Sequence, residues 1–229
     1  MTLMLAALGL ALAACATKPQ QLDQSFWQEQ SSKKVAIVIA KLPDKGALYK
    51  EGGQGLLDMA ISSVATQGVS RHLATLSADT FLEIRGELAE RLRADGFEVV
   101  QHEPFVDLDQ LPKTSGDGLF ERDLASVANA TGADRIILFR LYQFGASRAY
   151  YGFIPISAPQ GLAAVYGAMV DARTNKLMWH TGDSLKDAFI KEPVVGEWKE
   201  PPDYPNLTAA ATRALEKSRR VMIAKFFSK

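Results

Sequence analysis

Apolar and polar residues follow two periods along the chain, and these periods predict a succession of strands and helices. The run Val35–Ile39 is apolar on both faces, which is typical of a central strand buried on both sides. Within Ser77–Asp95, apolar residues recur every three or four positions, which predicts a helix ended by Gly96. Phe97–Val100 follows as a strand, so these elements form a β-α-β unit with a right-handed crossover.

The remainder of the chain continues this alternation. It predicts a helix over Leu119–Thr131 and a strand over Ile136–Tyr142. It then predicts a β-hairpin formed by Leu162–Val170 and Lys176–Thr181, and a closing helix from Asn206 onwards. The sequence therefore predicts an α/β fold: a mixed β-sheet of about five strands, in the order β-α-β-α-β followed by a β-hairpin, flanked by helices.

Two stretches interrupt the pattern. Ala40–Leu76 begins as a glycine-containing loop and then shows helical spacing from Leu57 to Val64, which predicts one inserted helix of about ten residues after the first strand. Glu192–Pro205 carries four prolines and predicts irregular structure.

The first residues have the pattern of a secretion signal. Residues 1–14 carry no charge and end in Leu-Ala-Ala before Cys15, a run too short to span a bilayer, which needs about 20 residues. This resembles a bacterial lipobox and predicts a signal peptide over 1–14 and a lipidated, palmitate-bearing Cys15. The alternative is an apolar terminus that packs into the core. Ala16 favours the outer membrane, on its periplasmic face, because Asp there is the usual signal for retention in the inner membrane.

The segment 15–32 is polar and glutamine-rich, so it predicts a tether, with Phe26 and Trp27 as candidate docking residues. A single domain over 33–229 follows. The chain has 26 basic and 26 acidic residues, and this neutrality argues against a nucleic-acid partner. Its one cysteine excludes an internal disulfide.

No catalytic or metal-binding pattern emerges from the residue types that usually provide one. His72, His102 and His180 are dispersed, and His180 is expected at the surface or half-buried. Asp107 and Asp109 lie in an acidic loop without the spacing of a calcium loop. We therefore expect a non-enzymatic protein with no cofactor and no metal.

The predicted hairpin carries a turn signature formed by Asp171, Thr174, Leu177 and Trp179, with Asn175 where glycine is usual. This signature resembles the ending of TolB N-terminal-like lipoproteins, which include curli-secretion and Pel-export lipoproteins and activators of peptidoglycan synthases. The resemblance implies a periplasmic domain of that fold over 33–229, attached to the membrane through Cys15. It also implies an accessory role in envelope assembly or export, with a protein partner.

Two stretches are not required by such a fold, and both are candidates for recognition. Tyr150, Tyr151 and Phe153 form an aromatic patch that predicts a binding surface, together with the insertion Ala40–Leu76. The alternative for the aromatic residues is packing beneath a neighbouring loop. The alternative function is a small-molecule or glycan-binding lipoprotein with a cleft between the insertion and the sheet. Homo-oligomerisation stays open.

Overall fold

The computed structural model describes residues 19–28, 34–53, 55–182, 188–199, 201 and 203–228. The predicted signal peptide, Cys15 and Ala16 lie outside the described residues. Within them the predicted α/β class is confirmed, with a mixed sheet, a helical insertion after the first strand and a C-terminal helix.

The described part of the chain contains eight strands: β1 Lys34–Ile39, β2 Ala47–Glu51, β3 Glu98–Gln101, β4 Arg135–Tyr151, β5 Ile154–Pro155, β6 Gln160–Asp171, β7 Leu177–His180 and β8 Phe189–Pro193. The helices are α1 Gln24–Gln28, α2 Leu56–Ala65, α3 Gln67–Leu73, α4 Asp79–Leu82, α5 Ile84–Ala94, α6 Ala125–Thr131 and α7 Pro205–Phe226.

One end of the sheet has the predicted β-α-β-α-β arrangement. Its strand order is β3-β1-β4-β6-β7, with β1 parallel to both β3 and β4, and with β6 antiparallel to β4 and β7. The apolar runs of β1 and β4 are buried because helices cover both faces of the sheet there. On one face lie α5, α7 and Phe26 of α1, and on the other lies α6.

The other end of the sheet was not predicted. β4 continues past Tyr142 to Tyr151, β2 pairs with its second half, and β8 pairs with the first half of β6. The prediction of about five strands is therefore too low, and Glu192–Pro205 is not irregular throughout, because β8 extends to Pro193. β4 can continue because Gly145 has φ +125°, and a Cβ there would lie 2.5 Å from the Ala47 carbonyl oxygen.

Two helices differ from their predicted bounds. The predicted helix Ser77–Asp95 is two pieces, α4 and α5. The predicted helix Leu119–Thr131 begins only at Ala125. Asn175, whose φ is +57°, donates its side-chain amide to the carbonyls of Phe120 and Arg122 at 3.1 and 2.9 Å. This contact with the hairpin turn holds the preceding segment in an extended path.

The hairpin packs with Trp179 in the core. Trp179 is buried edge-on against Phe226, at 5.1 Å between ring centroids, and a Cβ on Gly167 would lie 2.7 Å from its ring. The expectation for His180 is wrong, because this side chain is also buried. The reason is tertiary: the backbone of Gln20 bridges to His180, so the N-terminal segment covers the end of β7.

Candidate functional site: an apolar surface and an aromatic groove

Helix α2 is oriented opposite to an ordinary surface helix. Its small polar residues Ser62 and the following Thr66 are buried, whereas the large apolar side chains described from Leu57 onwards are exposed. An amphipathic helix on a globular domain normally turns its apolar stripe to the core. The exposed apolar residues of α2 are Leu57, Met59, Ile61 and Val64.

Polar contacts hold α2 in this orientation. The ammonium group of Lys50, on β2, donates hydrogen bonds to the hydroxyls of Ser62 and Ser63 at 2.7 and 3.3 Å. The Thr66 hydroxyl donates to the Ser62 carbonyl at 2.8 Å. Burial lowers the pKa of Lys50. Ser62 and Thr66 therefore lie on the inward side of α2, next to the partly exposed Met59, and the exposed Leu57, Ile61 and Val64 share the opposite face.

The predicted aromatic patch divides between interior and surface. Tyr150 is only 4% exposed, whereas Tyr151 is 78% exposed and Phe153 is also exposed. The strand period explains the division, because successive residues of β4 point to opposite sides. Tyr150 lies between Lys50 and Arg148, each 5.9 Å from its ring centroid. The alternative of packing in the interior therefore applies to Tyr150, and the binding role of Tyr151 and Phe153 stays a prediction.

The hairpin of β4 and β5 lies against the first turn of α2. A Cβ at Gly152 would be 3.3 Å from Oδ1 of Asp58. The other carboxylate oxygen of Asp58, Oδ2, accepts a hydrogen bond from the backbone N–H of Gly55 at 3.0 Å. The fold thus unites the two stretches singled out in the sequence. We call the combined patch the α2–hairpin surface; it consists of Leu57, Ile61, Val64, Tyr151, Phe153, Ile154 and Ile156, all exposed.

A second candidate site lies on the opposite half of β4. β1 pairs with residues 135–139 of β4 and β2 pairs with residues 145–149 on the same edge, so the chain between β1 and β2 leaves a gap. A cavity of about 350 Å³ occupies this gap beside Arg140 and Tyr142. A second cavity of about 250 Å³ shares Tyr142 and includes Tyr166. We call the two adjoining cavities the Tyr142 groove.

Sequence reasoning did not single out the Tyr142 groove. Strand alternation places Tyr142 on the same face as Arg140 and Tyr166, and a β-bulge between Leu141 and Gln143 then returns Phe144 to the core. The available signal was the end of the strongly apolar run at Tyr142, which the prediction took as the end of the strand.

The two aspartates of the acidic loop form ion pairs. Asp107 and Asp109 pair with Lys41 and Arg122, at 3.5 and 3.3 Å. On the basic face of α7, Lys217 pairs with Glu192 at 2.6 Å. The described residues contain no group of three or more His, Cys, Asp or Glu side chains arranged to hold a metal ion. None of the described helices is both long and apolar enough to cross a membrane.

No family model matches the sequence, and no curated protein matches it. Solved structures that align with this chain include lipoprotein GNA1162 from Neisseria meningitidis, at 11% identity and a TM-score of 0.32, with 81% of this chain and 99% of that chain covered. Protein XCC0632 from Xanthomonas campestris aligns at 10% identity and a TM-score of 0.37, over 92% of both chains.

The dodecameric PelC of Paraburkholderia phytofirmans aligns at 13% identity and a TM-score of 0.30, over 88% of this chain and 92% of that chain. Of these neighbours, GNA1162 is described as a lipoprotein. At these identities and TM-scores the likeness carries no argument.

Proposed function

We propose that this chain is a non-enzymatic lipoprotein of the TolB N-terminal-like kind, anchored through lipidated Cys15 to the periplasmic face of the outer membrane. Its role is that of an accessory in envelope assembly or export, and its α2–hairpin surface docks a protein partner. The observation that carries the proposal is the inverted helix α2, which buries serine and threonine and exposes leucine, methionine, isoleucine and valine. Contiguous exposed apolar surface of this kind marks interaction sites on otherwise soluble domains.

The position of the surface supports a partner at a distance from the anchor. Gln20 bridges to His180 on β7, and the five residues that separate Gln20 from Cys15 in the sequence can span at most about 18 Å. His180 of β7 pairs with Ala168 of β6, and Ala168 pairs with Leu138 of β4. Tyr151 is the last residue of β4. At about 3.3 Å per residue, the two points are separated by roughly 40 Å along β4.

Two exposed valines provide a matched test. Val64 on α2 is 79% exposed, and Val195, outside the α2–hairpin surface, is 71% exposed. A photo-crosslinking residue at position 64 in living cells should give a discrete protein adduct, and the same residue at 195 should give none. Val64→Asp should fold normally and fail to complement a deletion strain, whereas Val195→Asp should complement fully.

Each result of this experiment has a definite meaning. An adduct of twice the chain mass identifies a second copy as the partner. Complementation by Val64→Asp, or equal crosslinking from both positions, overturns the docking role. The anchor is tested separately: Cys15→Ala should remove the protein from the outer-membrane fraction, because stable attachment needs its acyl chains.

A further inference from the structure

The Tyr142 groove has the position of a ligand site in an α/β sheet. In the sheet, β1 lies between β3 and β4, which follow it in the chain. Helix α5 precedes β3 and packs on one face of the sheet, and helix α6 precedes β4 and packs on the other face. The groove begins where β1 ends, at Ala40 and Lys41. Ligands of open α/β sheets bind at this kind of point, where the loops after two neighbouring strands diverge to opposite faces.

The groove presents aromatic rings on its sheet side. Tyr142 lies two residues after Arg140, which pairs with Tyr166, and the two tyrosine rings have 6.4 Å between centroids and 53° between planes. The guanidinium carbon of Arg140 lies 4.6 Å from the centroid of Tyr142. Both tyrosines are half-buried, so each ring is held by its surroundings and still borders the groove.

Four charged side chains of the groove form two ion pairs. Arg140 lies 3.3 Å from Glu121, and Lys41 lies 3.5 Å from Asp107, while Asp44 and Asp109 add two further carboxylates to the lining. An anionic ligand would have to displace Glu121 or Asp107 from its pair and would share the groove with these carboxylates. A hydroxyl group meets no such obstacle, because it donates to a carboxylate and accepts from a guanidinium or ammonium while both pairs persist.

We propose that the Tyr142 groove binds a neutral saccharide. A sugar ring offers an apolar face of C–H groups to Tyr142 and Tyr166, and hydroxyls around its edge to the Arg140–Glu121 and Lys41–Asp107 pairs. The two adjoining cavities, of about 350 and 250 Å³, provide room for a short oligosaccharide. This site is independent of the α2–hairpin surface, and it differs from the cleft at the insertion that the sequence suggested.

The test is saturation-transfer NMR on the full-length protein, solubilised in a detergent without a sugar headgroup, with cellotriose and chitotriose as probes. We expect saturable transfer to the ring C–H protons of at least one trisaccharide, with a Kd of about 1 mM or below. Tyr142→Ala should weaken binding about tenfold, whereas Tyr142→Phe, which keeps the ring, should retain it. Glu121→Gln should also weaken binding, because it removes one charged acceptor.

Tyr151→Ala is the matched control, because Tyr151 lies on the α2–hairpin surface and outside the groove. It should leave trisaccharide binding unchanged even where it impairs the partner contact. The saccharide proposal and the docking proposal can therefore be contradicted independently of each other. The saccharide proposal is overturned if neither trisaccharide gives saturable transfer, or if inorganic phosphate binds in their place. It is also overturned if Tyr142→Ala and Tyr151→Ala bind alike.

Discussion

At the scale of single residues, Asp171 shows how the hairpin turn is held closed. Its carboxylate accepts hydrogen bonds from the backbone of Arg173 and Thr174 and from the Thr174 hydroxyl, and it pairs with Arg135. Burial alone would raise the pKa of Asp171, but the hydrogen bonds from Thr174 and the charge of Arg135 outweigh it and lower the pKa. The aspartate and threonine of the signature are thus one hydrogen-bonded unit that closes the hairpin.

The lowered pKa predicts a pH dependence of stability. The ionised form is favoured in the folded state, so this stabilisation is complete above the ordinary carboxyl pKa of about 3.9 and is lost as the pH falls through the lower folded-state pKa. Asp171→Asn should therefore melt well below the parent at neutral pH. The difference between the two melting temperatures should shrink in acid. A difference that stays constant from pH 7 to pH 2 would contradict this account.

At the scale of elements, the second half of β4 places the residues of the aromatic patch in two different environments. Tyr150 and Tyr151 belong to β4, and residues 154–155 return as β5. Because β4 remains a regular strand up to Tyr151, neighbouring tyrosines face opposite environments. The hairpin therefore supplies one core tyrosine and one exposed tyrosine.

This division predicts opposite outcomes for two equivalent substitutions. Tyr150→Ser should lower the free energy of unfolding by about 3 kcal/mol or more, because it empties a buried site between Lys50 and Arg148. Tyr151→Ser should change it by less than about 0.5 kcal/mol and should impair the partner contact. Denaturant melts measure the first effect and deletion complementation the second. Equal destabilisation by both would contradict the observed register of β4.

At the scale of the whole molecule, part of the predicted tether belongs to the folded body. Phe26 stacks on Phe97 at 4.9 Å between ring centroids and meets Phe226 edge-on at 6.2 Å. Trp27 meets Phe227 at 5.5 Å. The docking suggested for these two residues is therefore observed. With the bridge from Gln20 to His180, it joins the N-terminal segment to both α7 and β7.

We expect Phe26→Ala to lower the free energy of unfolding by about 3–5 kcal/mol, or to release the N-terminal segment locally. Thermal melting detects the first outcome, and limited proteolysis before β1 detects the second. Phe105→Ala is the matched control, because Phe105 is exposed and should tolerate the change. If both variants match the parent in melting and in proteolysis, the N-terminal segment does not contribute to the fold in solution.

The sequence by itself determined the elements whose signals are local. The apolar run of β1, the spaced apolar residues of α5 and α7, and the Asp171–Asn175 turn each specify their structure through periodicity or turn chemistry, and the predicted α/β class followed from their order.

Only the tertiary structure decided the orientation of α2, because helical spacing identifies a helix without saying which face meets the domain. Lys50, twelve residues from Ser62 along the chain, selected the polar face. The extension of β4 likewise depended on a bulge and on edges supplied by β2 and β6, which are non-local pairings. Both candidate sites rest on these long-range choices, since the α2–hairpin surface and the Tyr142 groove are assembled from segments distant in sequence.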